Sequence, residues 1–577
     1  MLRPIFIRTA TLLLAALASA GGGWLYFRLI GADAPVWLDS GRAVLFCLTV
    51  FWLVWGGTTG MLGALSPARK PDARPITRPV GLTSILVPIY NEDPAATFSR
   101  IAAMNRSLLA LDIADRFHFA ILSDSSSLEV AAQEAAWFEQ LVHEPMLEGR
   151  VFYRRRERNI GKKAGNIEDF ISHSGGAYDY ALILDADSLM EGETIARMAL
   201  RMDADAELGL LQTVPEVIRA ETLFGRLMAF SSAYLSPYFA RGQALMQGRE
   251  GPYWGHNAIV RMRAFAASCG LPVLSGRPPY GGHILSHDYV EAALLARAGW
   301  KVEVDPTLGG SFEEGPENLI EYAKRDRRWC QGNLQHRRLI GAPGLKLWSR
   351  FTFVQGIMAY VASPLWLLLL ISGLIAAAIP DPRGAGPDNA IWVLALAVAV
   401  ALLLPKAMIL LRGMLDGRNR AFGGTPRVAV GVLGEIALST LLAPIMLCFQ
   451  SRAVFEILFG LDGGWPATRR DETHVEFGTA FAASWWIVLI GAATLAVAIA
   501  FAPGLVPWLL PVTAPAIAAP VLIGLTSLSP KSHWLFGTAV KRQPPAVMEL
   551  QRQIHASWTS EGLGVAEAGA EAGHVLA

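Results

Sequence analysis

Two carboxylates stand two residues apart where a short apolar run ends: residues 180–184 lead into Asp185-Ala186-Asp187-Ser188. At the tip of a buried strand such a pair repels itself and is costly to desolvate. A divalent cation that bridges to a diphosphate relieves both problems. It also neutralises charge on a departing nucleoside diphosphate. The bland alternative is a pair of solvated aspartates on a strand edge. Further along, Leu285-Ser286-His287-Asp288-Tyr289 opens a helical run over 290–299. A carboxylate there either caps the helix or takes the proton from an attacking hydroxyl.

Four more segments carry the same kind of signal. Residues 84–89 end in Tyr90-Asn91-Glu92-Asp93-Pro94, and residues 118–122 end in Ser123-Asp124-Ser125. A strand, a polar tip and a helix start make a nucleotide-binding layout, and Asp124 could accept from a base or ribose; helix capping is the alternative for both. Residues 158–166, Arg-Asn-Ile-Gly-Lys-Lys-Ala-Gly-Asn, combine glycines for close backbone approach with lysine charge, which suits phosphate. Tyr253-Trp254-Gly255-His256-Asn257 is an aromatic and polar cluster fit to stack on a sugar, or else a piece of core. Residues 325–333 read Arg-Asp-Arg-Arg-Trp-Cys-Gln-Gly-Asn, just ahead of a long apolar stretch. Arginine binds phosphate bidentately and the indole gives a flat face, so a sugar-phosphate, an acceptor and a membrane would meet there.

These tips need a frame. Residues 82–90, 117–122, 181–184 and 208–213 are short apolar runs ending in polar residues, separated by helical stretches such as 129–142 and 194–203. The alternation predicts an α/β domain with a mostly parallel sheet. Ligands bind beyond the carboxyl ends of such strands.

The rest of the chain is membrane-like. It is 53% apolar and 17% charged, against about 25% charged for soluble proteins. A net charge of +1 gives no reason to expect a nucleic-acid partner. Cys47, Cys269, Cys330 and Cys448 form no CxxC pair or disulfide framework. Spans are expected at 9–30, 43–65, 353–379, 391–411, 482–501 and 506–528. Arg69, Lys70, Arg74 and Arg78 place both the N-terminus and residue 66 onward in the cytoplasm. Residues 428–459 are apolar but flanked by basic segments on both sides, so one crossing violates parity. With Glu435 near its middle, this stretch is expected to lie in the interface. Two short crossings, giving eight spans, are the alternative. The expected division is two spans and a linker over 1–80, a cytoplasmic catalytic domain over 81–345, a membrane domain over 346–530, and a partly disordered cytoplasmic tail over 531–577.

Taken in order, the tyrosine-asparagine-glutamate tip, Asp124, the 163–166 Lys-Ala-Gly-Asn, the Asp185/Asp187 pair, Asp288 and Arg328-Trp329 resemble the processive membrane glycosyltransferases of family 2. That family includes cellulose and hyaluronan synthases. Residues 253–259, 286–294 and 327–336 are similar to its branch that makes osmoregulated periplasmic glucans. Arg325 stands where the common motif has glutamine, and His287 where it has glutamate, which weakens a cellulose reading.

The resemblance implies a nucleotide-diphospho-sugar transferase fold set in an α-helical membrane domain of the bacterial inner membrane. It implies UDP-glucose as donor, an elongating β-glucan with a β-1,2 backbone as acceptor, and export of the product. Tyr90, Glu92, Asp124, Lys163 and Asp185 would hold the nucleotide, with Arg328 near the diphosphate. Asp187 would hold Mg2+ or Mn2+. Asp288 would be the base of an inverting transfer. Trp254, His256 and Trp329 would hold acceptor sugar, and residues 463–472 would form a gating loop. Further partners implied are membrane lipid, acyl carrier protein and periplasmic glucan-processing proteins. A related synthase making another polysaccharide or a glycolipid is the alternative. A transporter with a nucleotide-binding domain would have no use for a general base.

Overall fold

The apolar runs become strands because both of their faces are covered. A computed structural model describes residues 2–29, 35–67, 74–251, 253–379, 390–462, 473–532 and 534–561. Its strands are β1 (Thr83–Ile89), β2 (Phe117–Ser123), β3 (Val151–Arg155), β4 (Tyr180–Ile183), β5 (Leu189–Met190), β6 (Leu208–Gln212), β7 (Glu216–Ile218), β8 (Ala258–Arg261), β9 (Lys301–Val304) and β10 (Ser311–Glu314). Seven form one sheet in the order β3-β2-β1-β4-β8-β6-β9, and three form a small sheet, β5-β10-β7. In the large sheet only β8 runs antiparallel to its neighbours, so the expected mostly parallel sheet is present.

Alternate residues of the strands feed opposite layers. Ile85, Val87, Phe119, Ile121 and Leu182 enter one core, while Leu86, Ala120, Leu122, Ile183, Leu210 and Val260 enter the other. This is the period-two pattern of a strand buried on both sides. Between the strands lie α1 (Leu2–Leu29), α2 (Val36–Leu65), α3 (Pro94–Leu109), α4 (Leu128–Val142), α5 (Lys162–Ser174), α6 (Gly192–Ala204), α7 (Leu223–Phe230), α8 (Ser236–Gln247), α9 (Met262–Ser268), α10 (His287–Arg297) and α11 (Leu319–Gln335), with α1 and α2 ahead of the sheet. Registers align the strand tips: Ile89 faces Ser123, and Ser123 faces Arg155.

After α11 come α12 (Leu347–Ala378), α13 (Ala390–Leu415), α14 (Thr425–Leu458), α15 (Phe477–Phe501), α16 (Val506–Ile517), α17 (Ala519–Thr526), α18 (Ala539–Arg542) and α19 (Ala546–Glu561). Among the described residues six helices are long and apolar enough to cross a membrane: α1, α2, α12, α13, α14 and α15. The stretch expected as a last span is instead broken, with a bend of 61° between its two pieces. Pro511 and Pro515 within α16 and Pro520 at the start of α17 remove amide donors around that break.

Residues 428–459 fold as part of one helix, α14, which length and composition also admit as a span. Its two ends make contacts with residues of the 81–345 segment. Near its start a methyl on Gly431 would meet Phe230 of α7 at 2.8 Å. Near its end Glu456 Oε2 accepts from Arg327 Nε of α11 at 3.0 Å. Between these ends the helix of 34 residues, ~50 Å long, packs in one apolar cluster with α13, α15, α16 and α17. Glu435 is bonded by Lys406 Nζ at 2.5 Å, so its charge is matched within the protein.

The first part of the tail is ordered up to Glu561. Helix α19 docks on the sheet domain, with Val547, Ile554 and Trp558 buried in the same core as β1 and β2. Trp558 stacks on Trp137 with ring centroids 5.7 Å apart. The apolar spacing of Val547, Ile554 and Trp558 is helical, and it was obscured by the polar residues between them. Residues 562–577 and the expected gating loop at 463–472 lie outside the described residues.

Glycines join the membrane helices to the sheet domain. A Cβ on Gly63 of α2 would lie 1.7 Å from the Tyr238 carbonyl oxygen of α8, and one on Gly242 would lie 1.9 Å from the Thr59 oxygen. The two backbones therefore touch, and no side chain fits between them. Replacing Gly63 with leucine is expected to cost on the order of 3 kcal/mol through overpacking, read as a lowered melting temperature of the detergent-solubilised protein. Gly56→Ala is the control, because nothing lies within 4 Å of its added methyl.

Candidate active site

The strand tips form a continuous ring of polar contacts. Beyond β1, Asn91 takes a left-handed φ of 56°. Its Oδ1 accepts from the Ser126 and Ser127 amides at 3.1 Å each, which ties the first tip to the second. The Glu92 carboxylate accepts from the Tyr90 amide, and Asp93 caps α3 through the Ala95 amide at 2.9 Å. Asp124 is buried and bidentate to Arg156, at 2.7 and 2.8 Å. The same guanidinium donates to the Ile160 and Lys162 carbonyls at 3.2 and 3.3 Å, so Asp124 fixes the turn that starts α5. In that turn Gly161 sits at φ +71°, and a Cβ on Gly165 would lie 2.1 Å from the Ile160 oxygen. These glycines serve the turn's own closure.

Lys163 ends the turn and spans the centre. Its Nζ donates to Asp185 and to the Gly255 carbonyl, the latter at 2.7 Å. Gly255 in turn lies against Asp288: a methyl there would sit 3.8 Å from Asp288 Oδ2. Asp185, Lys163 and Asp288, far apart in the chain, are thus three neighbours in space. The Asp288 carboxyl is enclosed by protein on most sides while keeping some contact with solvent. Burial raises its pKa; the His287 charge and the Tyr289 amide oppose this, and Glu291 reinforces it. His287 is buried with Nδ1 3.0 Å from Glu291 Oε2. Burial disfavours its cation, but Glu291 and Asp288 outweigh that and raise its pKa, with Lys163 opposing.

Asp187, buried, and Asp185 face Glu313 of β10. Burial raises the Glu313 pKa, and both aspartates add to the rise, while His256 and Arg325 lower it. His256 Nε2 lies 3.4 Å from Glu313 Oε2, which places this histidine beside the aspartate pair. Crowded carboxylates with incomplete compensation are a donor set that a hard cation suits. Among the described residues no three ligating side chains converge. A cation at Asp187 would therefore take further oxygens from a bound diphosphate, as Mg2+ commonly does.

Helix α11 explains the pattern in residues 325–333. Arg325, Arg328, Trp329 and Gly332 recur at helical spacing and share one face. Arg325 stacks over the Trp329 ring at 4.6 Å, and that indole is 43% exposed. Arg328 acts on Lys162 of the α5 turn. A Cβ on Gly332 would fall 2.3 Å from Ser286 Oγ, so α11 touches the backbone two residues before Asp288. His336 and Gln335 complete the clamp, at 2.9 Å to the Ser286 carbonyl and 2.9 Å from the Leu285 amide. The other face carries Asp326, Cys330 and Leu334, all buried. Asp326 accepts from Gln450 of α14 at 2.9 Å, so not every charged residue of this segment serves the site.

Of the residues singled out from sequence, the structure joins Asp124, Lys163, Asp185, His256 and Asp288 through contacts shared with their neighbours, while Asp187 and Arg328 act electrostatically on Glu313 and Lys162. Tyr90 and Glu92 lie at the β1 tip, with Ser126 Oγ 3.4 Å from the Tyr90 hydroxyl. Trp254 is tied down through its amide to Gln212 Oε1 at 3.0 Å. Sequence reasoning missed Arg156, Glu313, Gln212 and Gln331. Gln212 closes β6 as Asp124 closes β2, so the polar-tip signal applied to it equally. Gln331 Nε2 holds Asp462 at 2.9 Å, just ahead of 463–472, and nothing in its local pattern pointed there.

Comparison with known proteins agrees with this geometry. Residues 84–268 match the family described as glycosyl transferase family 2, and residues 180–406 match glycosyl transferase family group 2. The chain is 50% identical over 555 residues to the glucans biosynthesis glucosyltransferase H of Cereibacter sphaeroides, covering 94% of this chain and 93% of that one. It is 40% identical over 543 residues to the Caulobacter vibrioides protein of the same name, covering 89% and 80%. A solved mannosyltransferase from Pyrobaculum calidifontis, in complex with GDP-Man and Mn2+, matches at 16% identity with a TM-score of 0.42, over 65% of this chain and 98% of that one. That score is too low to carry fold or ligand across.

Lys162 offers a direct probe of the site. Burial lowers its pKa from 10.5 to about 8, Asp462 opposing and Arg328 reinforcing. Its amine is expected to react with an acylating reagent with a midpoint near pH 8, well below other lysines. Mass spectrometry of labelled peptides across pH 6–10 would check this, and Arg328→Gln should move the midpoint upward.

Proposed function

Because the chain belongs to the family 2 glycosyltransferases named glucans biosynthesis glucosyltransferase H, and is therefore a glucosyltransferase, we propose that it transfers glucose from UDP-glucose to a growing β-glucan with inversion. The observation that carries this reading is the Lys163 bridge. One ammonium group joins Asp185, on the donor side, to the Gly255 carbonyl that packs on Asp288. A general base and a diphosphate-binding pair are thereby held at a fixed spacing.

In this reading Tyr90, Glu92 and Asp124 hold the nucleotide at the first two strand tips. Lys163, Arg328 and Lys162 surround the diphosphate with positive charge. Asp187, with Asp185, would hold Mg2+ or Mn2+, which supplies charge neutralisation at the diphosphate when bound. The acceptor's terminal sugar rests on the exposed Trp329 face, with Trp254 and His256 flanking it. Asp288 takes the proton of the attacking hydroxyl, and its raised pKa makes it a stronger base than an ordinary aspartate. UDP leaves from the opposite side of the sugar. The six candidate spans support placing the chain in the bacterial inner membrane with the sheet domain in the cytoplasm. Export of the glucan, a β-1,2 backbone, and contacts with acyl carrier protein or periplasmic glucan-processing proteins complete the reading.

Purified protein supplied with UDP-glucose and Mg2+ is expected to release UDP and form glucan. UDP-galactose and UDP-N-acetylglucosamine should be poor donors, and methylation analysis of the product should give 2-linked glucose. Asp288→Asn should cut turnover ~10³-fold with unchanged UDP binding; full turnover in this variant sinks the reading. In the wild type, kcat/KM should fall as pH drops through the raised Asp288 pKa, so its acid limb lies above the ordinary 3.8. Gly332→Ala displaces Ser286 and should lower kcat about a hundredfold, with a fall in melting temperature from the overpacking.

A further inference from the structure

A chain of hydrogen bonds, buried at Gln551 and Arg100 and open to solvent at Arg219, runs from the C-terminal helix to the backbone between the two aspartates. Gln551 of α19 is buried, and its Nε2 donates to Ser99 Oγ of α3 at 2.9 Å. Its Oε1 accepts from Arg219 Nη2. Arg219 Nη1 donates to Glu314 Oε1 at 2.9 Å, and Arg100 Nη2 donates to the same oxygen at 2.5 Å. Arg100 Nη1 then donates to the Ala186 carbonyl at 3.0 Å. Ala186 is the residue between Asp185 and Asp187.

Three features separate this chain from ordinary surface pairing. Arg100 is buried, 6% exposed, so its bonds are made away from water, where breaking one leaves a charge unmatched. Arg219 stands at φ +58°, a conformation that is uncommon outside glycine and persists where surroundings hold it. Glu314 and Glu313 are adjacent on β10, and successive strand residues face opposite sides. One carboxylate therefore faces the aspartate pair while its neighbour anchors the relay. The same strand pairs with β5, which follows the aspartates directly, through Ser311 to Met190.

We propose that α19 is a positioning element of the donor site, acting through Gln551, Arg219, Glu314 and Arg100 on the Ala186 carbonyl. The relay sets where the Asp185 and Asp187 carboxylates stand relative to each other. It touches neither donor nor acceptor. Its loss loosens the aspartate turn and weakens cation-dependent nucleotide binding, leaving the Asp288 side intact. This inference rests on the reading of Asp185 and Asp187 as the diphosphate and cation site.

The test uses the full-length protein in detergent, with UDP binding measured calorimetrically in Mg2+ and in EDTA, and with KM and kcat measured separately. Arg100→Lys keeps the charge but cannot reach both Glu314 and Ala186. Gln551→Leu keeps the packing volume and removes the bonds. Both are expected to weaken UDP binding in Mg2+ about tenfold, the size of effect known for groups that orient metal ligands. Both should raise KM for UDP-glucose similarly with kcat within twofold, and match wild type in EDTA. Gln551→Glu keeps the acceptor for Arg219 and should bind UDP within twofold of wild type. Wild-type binding and KM in both Arg100→Lys and Gln551→Leu overturns the relay. So does a loss that is equal in EDTA and follows a fall in melting temperature. Asp187→Asn is the separate control. If it binds UDP in Mg2+ as wild type does, the donor-site reading fails and the relay with it; if it loses binding while the relay variants do not, the relay alone fails.

Discussion

The Lys163 ammonium group is the contact on which the site depends. It lies between the Asp185 carboxylate and the Gly255 carbonyl, and the Gly255 backbone is the surface on which Asp288 rests. Each strand tip alone is an ordinary capped turn. Asp93 and Ser127 cap helices, and Asp124 anchors an arginine. What makes these turns one site is a cation shared among segments distant in sequence. Desolvation gives that arrangement its force: Asp288 and Glu313 are both pushed toward their neutral forms by burial, and each is partly rescued by a neighbouring positive group. A site balanced in this way responds strongly to arriving diphosphate and cation, because small changes in charge move several pKa values together.

Helix α11 connects this chemistry to the membrane helices. Its two faces have different tasks, separated by helical periodicity. Arg325, Arg328, Trp329 and Gly332 look toward the strand tips, and Asp326, Cys330 and Leu334 pack against α12 and α14. Glycine at 332 is required because the helix backbone lies against Ser286.

Much of the frame was legible in the sequence. Runs ending in polar residues located β1, β2, β4 and β6 to within a residue or two, because full burial on both faces leaves a continuous apolar signature. The aspartate pair and Asp288 stood out because carboxylates crowded at such positions repel and are costly to desolvate. Antiparallel β8 was not anticipated, since its four residues differ little from a parallel strand. Glu313 escaped notice because its role appears only when β10 meets His256, whereas Gln212, at the tip of β6, carried the same polar-tip signal as Asp124. The docking of helix α19 was not anticipated, because Val547, Ile554 and Trp558 are spread among polar residues. Its partners on α3 and α4 lie some four hundred residues earlier, and no local pattern records such a separation.

The placement of α14 follows from the same contacts that build the site. Parity of basic flanks argued that residues 428–459 do not cross the membrane once. Arg327 bonds Glu456 Oε2 at 3.0 Å and the Leu461 carbonyl at 3.3 Å, while Gln331 holds Asp462. Asp462 in turn acts on Lys162, in the turn beside the aspartate pair. The end of α14 is thus tied to the strand tips by one arginine, one glutamine and one carboxylate. Its beginning is tied to α7 through Phe230 and Gly431. Topology and chemistry meet here: the contacts that hold the end of α14 are made by α11, the helix that also carries Arg328 and Trp329.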